Sequence, residues 1–168
     1  MDSVQFRTNS IELVKKIFPD MVVVARNQNV SQPVNVSSGE EMMDINIEIV
    51  TKVGTDFEVE IGDGLVELRG DRLVQVSFEL FSPLAMDKLC EFRDRLELDY
   101  MKQFMTDREF MEQRGANPFD TTRIHGNTNW VTSAEYVTRF HTAVAYRYNR
   151  NDTGYIESVE INSNLEGQ

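Results

Sequence analysis

Residues 72–98 read RLVQVSFELFSPLAMDKLCEFRDRLEL, and the hydrophobic period of this stretch changes at its middle. In the first half, apolar and polar residues alternate, which is typical of a strand with one buried face. In the second half, apolar residues recur at helical spacing, and Ser82 followed by Pro83 predicts the start of that helix. The apolar stripe of the helix consists of Ala85, Leu89, Phe92 and Leu96.

A strand and a helix that each have one apolar face bury those faces most simply by packing against each other. A second helix is predicted at 3–18, where apolar residues also follow a helical period. We therefore expect an α+β fold, with a mainly antiparallel, twisted sheet and the helices at 3–18 and 83–98 packed on one face. At 168 residues, the chain is expected to form a single domain spanning 1–168.

The hydrophobic pattern in the rest of the sequence predicts the other strands of this sheet. The apolar run at 21–25 predicts a strand buried on both faces. Residues 43–81 predict an antiparallel meander, with a turn at 62–64 and a tight turn at Gly70-Asp71. The longest strand is expected at 130–148. Further expectations are short helices at 100–104 and 107–113, a short strand at 121–125, a turn at 149–154, a return strand at 155–161 and a frayed tail at 163–168.

Two polar, turn-rich stretches are too long for simple connections. They lie at about 27–40 and 115–129, and both are predicted as long loops. Long ordered loops in compact domains often carry contacts to other molecules.

The composition excludes several classes of protein. The net charge of −11 disfavours a surface that binds nucleic acid, because the basic residues are scattered. No apolar run is long enough to cross a membrane, and the N-terminus does not resemble a signal peptide. Cys90 is the only cysteine, so a disulfide within the chain is impossible. It is interpreted as a small packing residue of the helix.

The short motifs in the sequence give no support for a catalytic or metal-binding site. Arg69-Gly70-Asp71 matches an integrin-binding tripeptide, but it is interpreted as part of a turn. Asp152-Thr153-Gly154 matches the aspartic protease tripeptide without the apolar strand that should precede it. Residues 149–160 fit a calcium loop only in part, since Asn149 replaces the usual Asp. His125 and His141 are not spaced as a metal pair. We therefore predict no enzyme activity, no catalytic residues, no metal and no cofactor.

An N-terminal helix leads into a series of motifs that spans most of the chain. These motifs are VVVAR at 22–26, NQNVSQP at 27–33, RGDRLVQVSFELF at 69–81, LCEFRDRLE at 89–97, RFHTAVAYRY at 139–148 and GYIESVEI at 154–161. In this order they resemble the neck terminator, or tail terminator-like, proteins of tailed bacteriophages. Residues 99–129 depart from the family pattern.

The resemblance implies a structural protein of the virion. Proteins of this family form rings, typically homohexamers, that cap the head-proximal end of the tail tube. The ring stops tube polymerisation, joins the tail to a head connector or stopper protein, and leaves a channel through which DNA passes without specific binding. The implied location is the neck of the virion, after assembly in the cytoplasm of the bacterial host, without any membrane partner.

Two sets of residues are candidate sites under this interpretation. Residues of the two long loops are expected to contact neighbouring subunits or rings: Asn27, Gln28, Asn29, Gln32, Pro33, Phe119 and Arg123. Acidic residues of the meander are expected to border the channel, where they would repel phosphate: Glu58, Glu60, Asp63 and Glu67.

Two other functions remain open from the sequence. One is a different head–tail connector or tube-completion ring. The other is a non-viral adaptor that captures a peptide by adding it as a strand to a sheet edge.

Overall fold

A computed structural model describes residues 3–26, 41–62, 64–113, 115–125 and 129–149 of the chain. The predicted loop at 27–40 and the predicted turn, return strand and tail after 149 lie outside these residues. The elements in chain order are helix α1 Ser3–Ile17, strands β1 Val22–Arg26, β2 Met42–Gly62 and β3 Leu65–Phe81, helices α2 Ala85–Leu96 and α3 Asp99–Thr106, and strands β4 Phe110–Gln113, β5 Phe119–Asp120, β6 Arg123–His125, β7 Asn129–Val131 and β8 Ser133–Asn149.

Within the described residues, one six-stranded sheet organises the fold, and β6 and β7 form a separate hairpin. The main path through the sheet is β1-β2-β3-β8-β4, and β5 also pairs with β8. The β1–β2 pair is parallel, whereas the other pairs are antiparallel. The mixed, mainly antiparallel sheet and its helices confirm the predicted α+β class.

The core forms where helices cover the sheet. The side chains of α2 that were predicted to face the sheet are buried: Ala85, Leu89, Phe92 and Leu96. Phe92 packs against Phe78 of β3 with ring centroids 5.0 Å apart. Phe6 of α1 makes edge contacts with Phe110 and Phe140. Aromatic pairs therefore join both helices to the sheet.

The start of α2 differs slightly from the prediction. The helix begins at Ala85, two residues after Pro83. The Ser82 hydroxyl accepts a hydrogen bond from the N–H of Leu84 at 3.1 Å. Ser82 therefore organises the turn that leads into the helix.

The predicted turn at Gly70-Asp71 is wrong. Both residues lie in the middle of β3, which pairs with β8 from Leu65 to Phe81 without interruption. A Cβ on Gly70 would lie 1.8 Å from Oδ1 of Asp56. Gly70 is therefore required by the close approach of a neighbouring carboxylate, and the meander is one long hairpin of β2 and β3.

β2 contains a bulge where the sequence predicted a break between two shorter strands. The register with β3 shifts between Val53 and Phe57, around Gly54, whose φ is 70°. Such a bulge keeps the strand in the sheet while it bends the chain. As a result β2 runs for 21 residues, so the prediction that the longest strand is the one at 130–148 is also wrong. That segment is divided into β7 and β8.

Three further predictions need correction. Residues 107–113 form a turn followed by β4, because Phe110 is buried against Phe140 and the segment pairs with β8. The strand at 22–26 is not buried on both faces, since Val22 and Val24 are exposed on an edge strand. The segment 115–129 is not a simple loop, because it contains β5, β6 and the start of β7.

The sheet divides into two regions. We call residues 50–62, 65–73 and 141–149 the arm, and the helix-covered remainder the body. The three strands of the arm are laterally aligned, because Phe57 pairs with Arg69 and Arg69 pairs with Ala145. Among the described residues, the hydrophobic core cluster includes no residue of the arm.

Candidate assembly surfaces

The arm presents apolar side chains to solvent. Phe57 is 58% exposed and Val50 is 62% exposed, and Ile61 and Leu65 are also exposed. An isolated exposed apolar residue is ordinary, but several on one long strand favour an interaction surface.

The outer strands of the sheet are covered only in part by other described strands. β1 covers β2 only at Met42–Asn46. On the opposite side of the sheet, β4 pairs with β8 from Arg139 to Thr142, and β5 pairs at Glu135 and Ala134.

An ion-pair group on one face fixes the bulge of β2. The guanidinium of Arg72 donates to both carboxylate oxygens of Asp56, at 2.8 and 3.1 Å. The ammonium of Lys52 lies 2.9 Å from the same carboxylate. Hydrogen bonds from Arg72 and then Lys52 lower the pKa of Asp56 to about 2. Asp56 therefore stays charged, and it occupies the space that Gly70 leaves open.

A second ion-pair group lies on the opposite face. Glu67 is 1% exposed, and its carboxylate accepts hydrogen bonds from Arg69 and, at 3.0 Å, from Arg147. Burial alone would raise the pKa of Glu67, but the bonds from Arg147 and Arg69 outweigh it and lower this pKa. The group joins β3 to β8 across 80 residues of sequence.

The predicted channel-bordering acids do not share one face. Glu58 pairs with Leu68 and Glu60 pairs with Val66, whereas Glu67 pairs with Val59. Directly paired residues point to the same side of a sheet, so Glu67 faces away from the other two. Glu58 and Glu60 are exposed, and Asp63 lies outside the described residues.

The predicted contact residues are only partly described. The five from the first loop, Asn27, Gln28, Asn29, Gln32 and Pro33, lie outside the described residues. Phe119 is exposed on β5, and Arg123 belongs to β6, where it pairs with Val131. Phe119 and Arg123 therefore lie on consecutive short strands that belong to different sheets.

Sequence reasoning missed a second apolar surface at the start of α2. Leu84 and Met86 are exposed there, beside a small cavity of about 100 Å³ that also contacts Pro83 and Asp120. Phe119 precedes Asp120, so it lies close to the same cavity. The only signal of this surface in the sequence is Leu84, an apolar residue that directly follows Pro83 and lies outside the buried stripe of α2.

A partly buried carboxyl group also escaped the sequence analysis. Glu112 of β4 accepts hydrogen bonds from the hydroxyls of Tyr136, at 2.5 Å, and Thr138, at 2.8 Å. Burial raises the pKa of Glu112, despite these two bonds, and burial also raises the pKa of Tyr136. The arrangement anchors the edge strand β4 to β8.

The described residues offer little basis for catalysis. A cleft of about 370 Å³ contains Asp71, Glu109 and His141, and the His141 ring lies 2.8 Å from the Gln113 side-chain amide. In this part of the chain, no group of three or more metal-binding side chains is close enough to hold an ion. None of the described helices is long and apolar enough to span a bilayer.

Comparison with known proteins places this fold in a family. A comparison with curated proteins found no match. The family model described as phage neck terminator protein matches residues 8–168, which is nearly the whole chain. The match agrees with the resemblance carried by the strand and helix motifs, and it assigns the chain to the structural proteins of the phage neck. The chain belongs to the phage neck terminator protein family.

Proposed function

We propose that this protein forms a homohexameric ring that caps the head-proximal end of the tail tube. The observation that carries this proposal is the family match over residues 8–168. In the proposed ring, each subunit contacts the tail tube protein on one side and a head connector or stopper protein on the other. The ring stops tube polymerisation because it covers the surface to which the next tube subunit would bind. It assembles in the bacterial cytoplasm.

Contacts between identical subunits are enough to form a ring, so the proposed function requires no catalytic step. A head-to-tail contact between identical subunits closes into a ring when the rotation that it imposes closes on itself. The arm has two different outer strands, β2 and β8, and two different surfaces are what a head-to-tail contact needs. No catalytic residue, metal or cofactor has a role in the proposed function.

The exposed acids support a channel that DNA can cross without binding. In the proposal, Glu58, Glu60 and Asp63 border the channel, where their charge repels phosphate and disfavours specific contacts. Glu67 is not part of this exposed set, because it is buried on the opposite face beside Arg69 and Arg147. Reversing the charge of Glu58 and Glu60 to lysine should slow DNA ejection from assembled virions, and an unchanged ejection rate would contradict their role.

The loop contacts are also part of the proposal. The segments 27–40 and 115–129 are assigned to neighbouring subunits or rings, through Asn27, Gln28, Asn29, Gln32, Pro33, Phe119 and Arg123. The exposure of Phe119 supports this assignment for one of them. Deleting 31–38 should prevent assembly of the ring or the virion, and normal assembly of that variant would contradict the assignment.

The first experiment is mass photometry of the purified protein, alone and with tail tubes, followed by negative-stain imaging. We expect a species of six subunits, or a cap at one end of each tube. A stable monomer that ignores the tubes would overturn the proposal. Rings that bind a connector and not the tube end would favour a different connector or tube-completion ring.

The exposed apolar side chains of β2, such as Phe57, favour one alternative of another class, a peptide-binding adaptor. Such an adaptor would remain monomeric at all concentrations and bind extended peptides saturably by strand addition. Titrating a labelled peptide library against the monomer, with size determination in parallel, separates this alternative from ring formation.

A further inference from the structure

One face of the arm combines exposed apolar side chains with two arginines. Phe57 pairs with Arg69, and alternate residues of a strand share a face, so Leu65 lies on the same side of the sheet as Arg69. Arg147 lies on this side as well, because it pairs with Glu67. Phe57 and Leu65 are both exposed. We call Phe57, Leu65, Arg69 and Arg147 the arm patch.

The arm patch carries an excess of positive charge in a protein whose net charge is −11. Its two guanidinium groups share one carboxylate, that of the buried Glu67. The side chains of Arg69 and Arg147 are still 41% and 39% exposed, so they can reach a further acidic group. Asp71 follows on the same face, towards the body, and limits the basic region on that side.

The start of α2 presents a surface of the opposite charge. The cavity of about 100 Å³ is lined there by the exposed side chains of Leu84 and Met86. Its described lining residues include two acids, Asp87 and Asp120, and no basic residue. Hydrogen bonds from Thr122 lower the pKa of Asp120, so this carboxylate is charged at neutral pH. We call Leu84, Met86, Asp87 and Asp120 the helix patch.

The two patches cannot meet within one chain. Arg69 and Phe81 are twelve positions apart on β3, which pairs with β8 without interruption, and Leu84 follows three positions after Phe81. At about 3.3 Å per residue, this stretch of β3 is about 40 Å long. A contact between an arm patch and a helix patch therefore joins two copies of the chain.

Charge decides which patches can face each other. Two arm patches would place arginine against arginine, and two helix patches would place acid against acid, which costs binding energy. The combination of one arm patch with one helix patch brings opposite charges together. The apolar groups fit as well, because an aromatic side chain that enters a pocket is a common centre of a protein interface. Phe57 is the aromatic residue of the arm patch.

We propose that the arm patch of one copy docks on the helix patch of a second copy of this chain, with the Phe57 ring in the cavity beside Leu84 and Met86. The two arginines of the arm patch then face the two acids of the helix patch. The contact is heterologous, because the two copies use different surfaces, and such a contact closes a ring when its rotation closes. It rests on the proposed ring, for which it supplies the subunit contact.

Photo-crosslinking identifies what Phe57 contacts. The protein is made with p-benzoylphenylalanine at position 57, which keeps an aromatic ring there, and is mixed with isotopically labelled copies of the parent chain. After assembly on tail tubes and illumination, mass spectrometry should find position 57 linked to the labelled peptide that contains Leu84 and Met86. The label shows that the linked residue belongs to another copy.

The same photo-crosslinker at position 50 is the matched control. Val50 is also exposed on the arm, but it pairs with Val74 and so lies on the opposite face, and it should not link to the helix patch. Linkage of position 57 to position 57 of another copy would overturn the proposal in favour of a two-fold contact. Linkage to the tail tube protein, or caps without any linkage, would also overturn it while leaving the proposed function intact.

A pair of charge variants gives a second readout that does not depend on the photo-crosslinker. Phe57→Glu adds an acid opposite the helix patch and should reduce ring or cap formation at least about tenfold, with Phe57→Leu close to the parent protein. Adding Met86→Lys to the Phe57→Glu chain should restore most of this loss, because the two new charges attract each other. Both side chains are exposed, so all these variants should unfold at the same denaturant concentration as the parent.

Two results would overturn the contact. Normal caps from Phe57→Glu would mean that Phe57 is outside any interface. An equal loss with and without Met86→Lys would mean that Phe57 contacts something other than the helix patch. Absence of caps from the unmodified protein would instead contradict the proposed function.

Discussion

The body and the arm use the same three strands but are stabilised in different ways. In the body, one face of the sheet is covered by α1 and α2, and apolar side chains such as Phe78 and Phe92 pack together there. In the arm, two ion-pair groups, centred on Asp56 and Glu67, hold the strands in place. Apolar burial therefore determines where the helices sit, while charge pairs determine the shape of the arm.

The largest effect should come from the body. Phe92→Ala removes a fully buried ring that contacts Phe78 and Tyr136, and should lower the free energy of unfolding by about 3–5 kcal/mol. Phe57→Ala, on the arm, should change it by less than about 0.5 kcal/mol. Urea denaturation of both variants measures the contrast. Equal losses would mean that the arm contains a core of its own.

Gly70→Ala tests whether the arm depends on the close approach of Asp56. The added methyl group would displace the carboxylate and break its contact with Arg72, which should cost about 1–3 kcal/mol. Hydrogen exchange should show the loss of protection in the arm and not in α2. In an Asp56→Ala background, the same glycine substitution should cost much less, and additive losses would contradict this explanation.

Glu67→Gln should destabilise the protein by about 1 kcal/mol at neutral pH, because Arg69 and Arg147 are partly exposed and lose a charged partner. The pKa of Glu67 is below its ordinary value of 4.5 in the folded chain. Its contribution is therefore fully present above pH 4.5 and lost as the pH falls through the folded pKa. The stability of the variant should depend less on pH below 4.5, and an unchanged acid profile would contradict the pairing.

Glu112→Gln, in the body, should change the free energy of unfolding less than Glu67→Gln does, and it should stabilise the protein. Burial raises the pKa of Glu112, so the folded protein holds this proton at a higher pH than the unfolded chain does. The wild-type protein therefore loses stability as the pH rises through the folded pKa, and the variant avoids that loss. Relative to wild type, the variant should gain less than about 1 kcal/mol between pH 4 and 7. A relative loss would contradict the raised pKa.

The sequence predicted the body better than the arm, for a physical reason. Burial of one face leaves a periodic pattern, so α2 and its stripe from Ala85 to Leu96 were predicted correctly. Val22 and Val24 are exposed on the face of β1 opposite the one that packs on the core through Val23 and Ala25, and a run of apolar residues does not show that only one face is covered. The segment 107–113 was misassigned because the burial of Phe110 against Phe140 is a tertiary contact.

The structure of the arm and of the candidate sites depends on contacts between strands, and a local sequence pattern does not show such contacts. Gly70-Asp71 has the composition of a turn, yet the glycine is needed because Asp56 approaches from another strand. The pairing of Glu67 with Arg147 joins residues 80 positions apart. The acids Glu58, Glu60 and Glu67 are close in the sequence, but strand alternation and the hairpin place Glu67 on the opposite face.

The central position of β3 has a consequence during protein synthesis. β2 and β3 can pair as a hairpin as soon as both have left the ribosome, but the other edge of β3 pairs with β8, which begins only at Ser133. Roughly fifty residues separate the two strands, so at typical elongation rates β3 keeps an open edge for about 3–10 s. Nascent chains on one polysome can pair through that edge, so the yield of folded protein should fall as translation is slowed between residues 82 and 132.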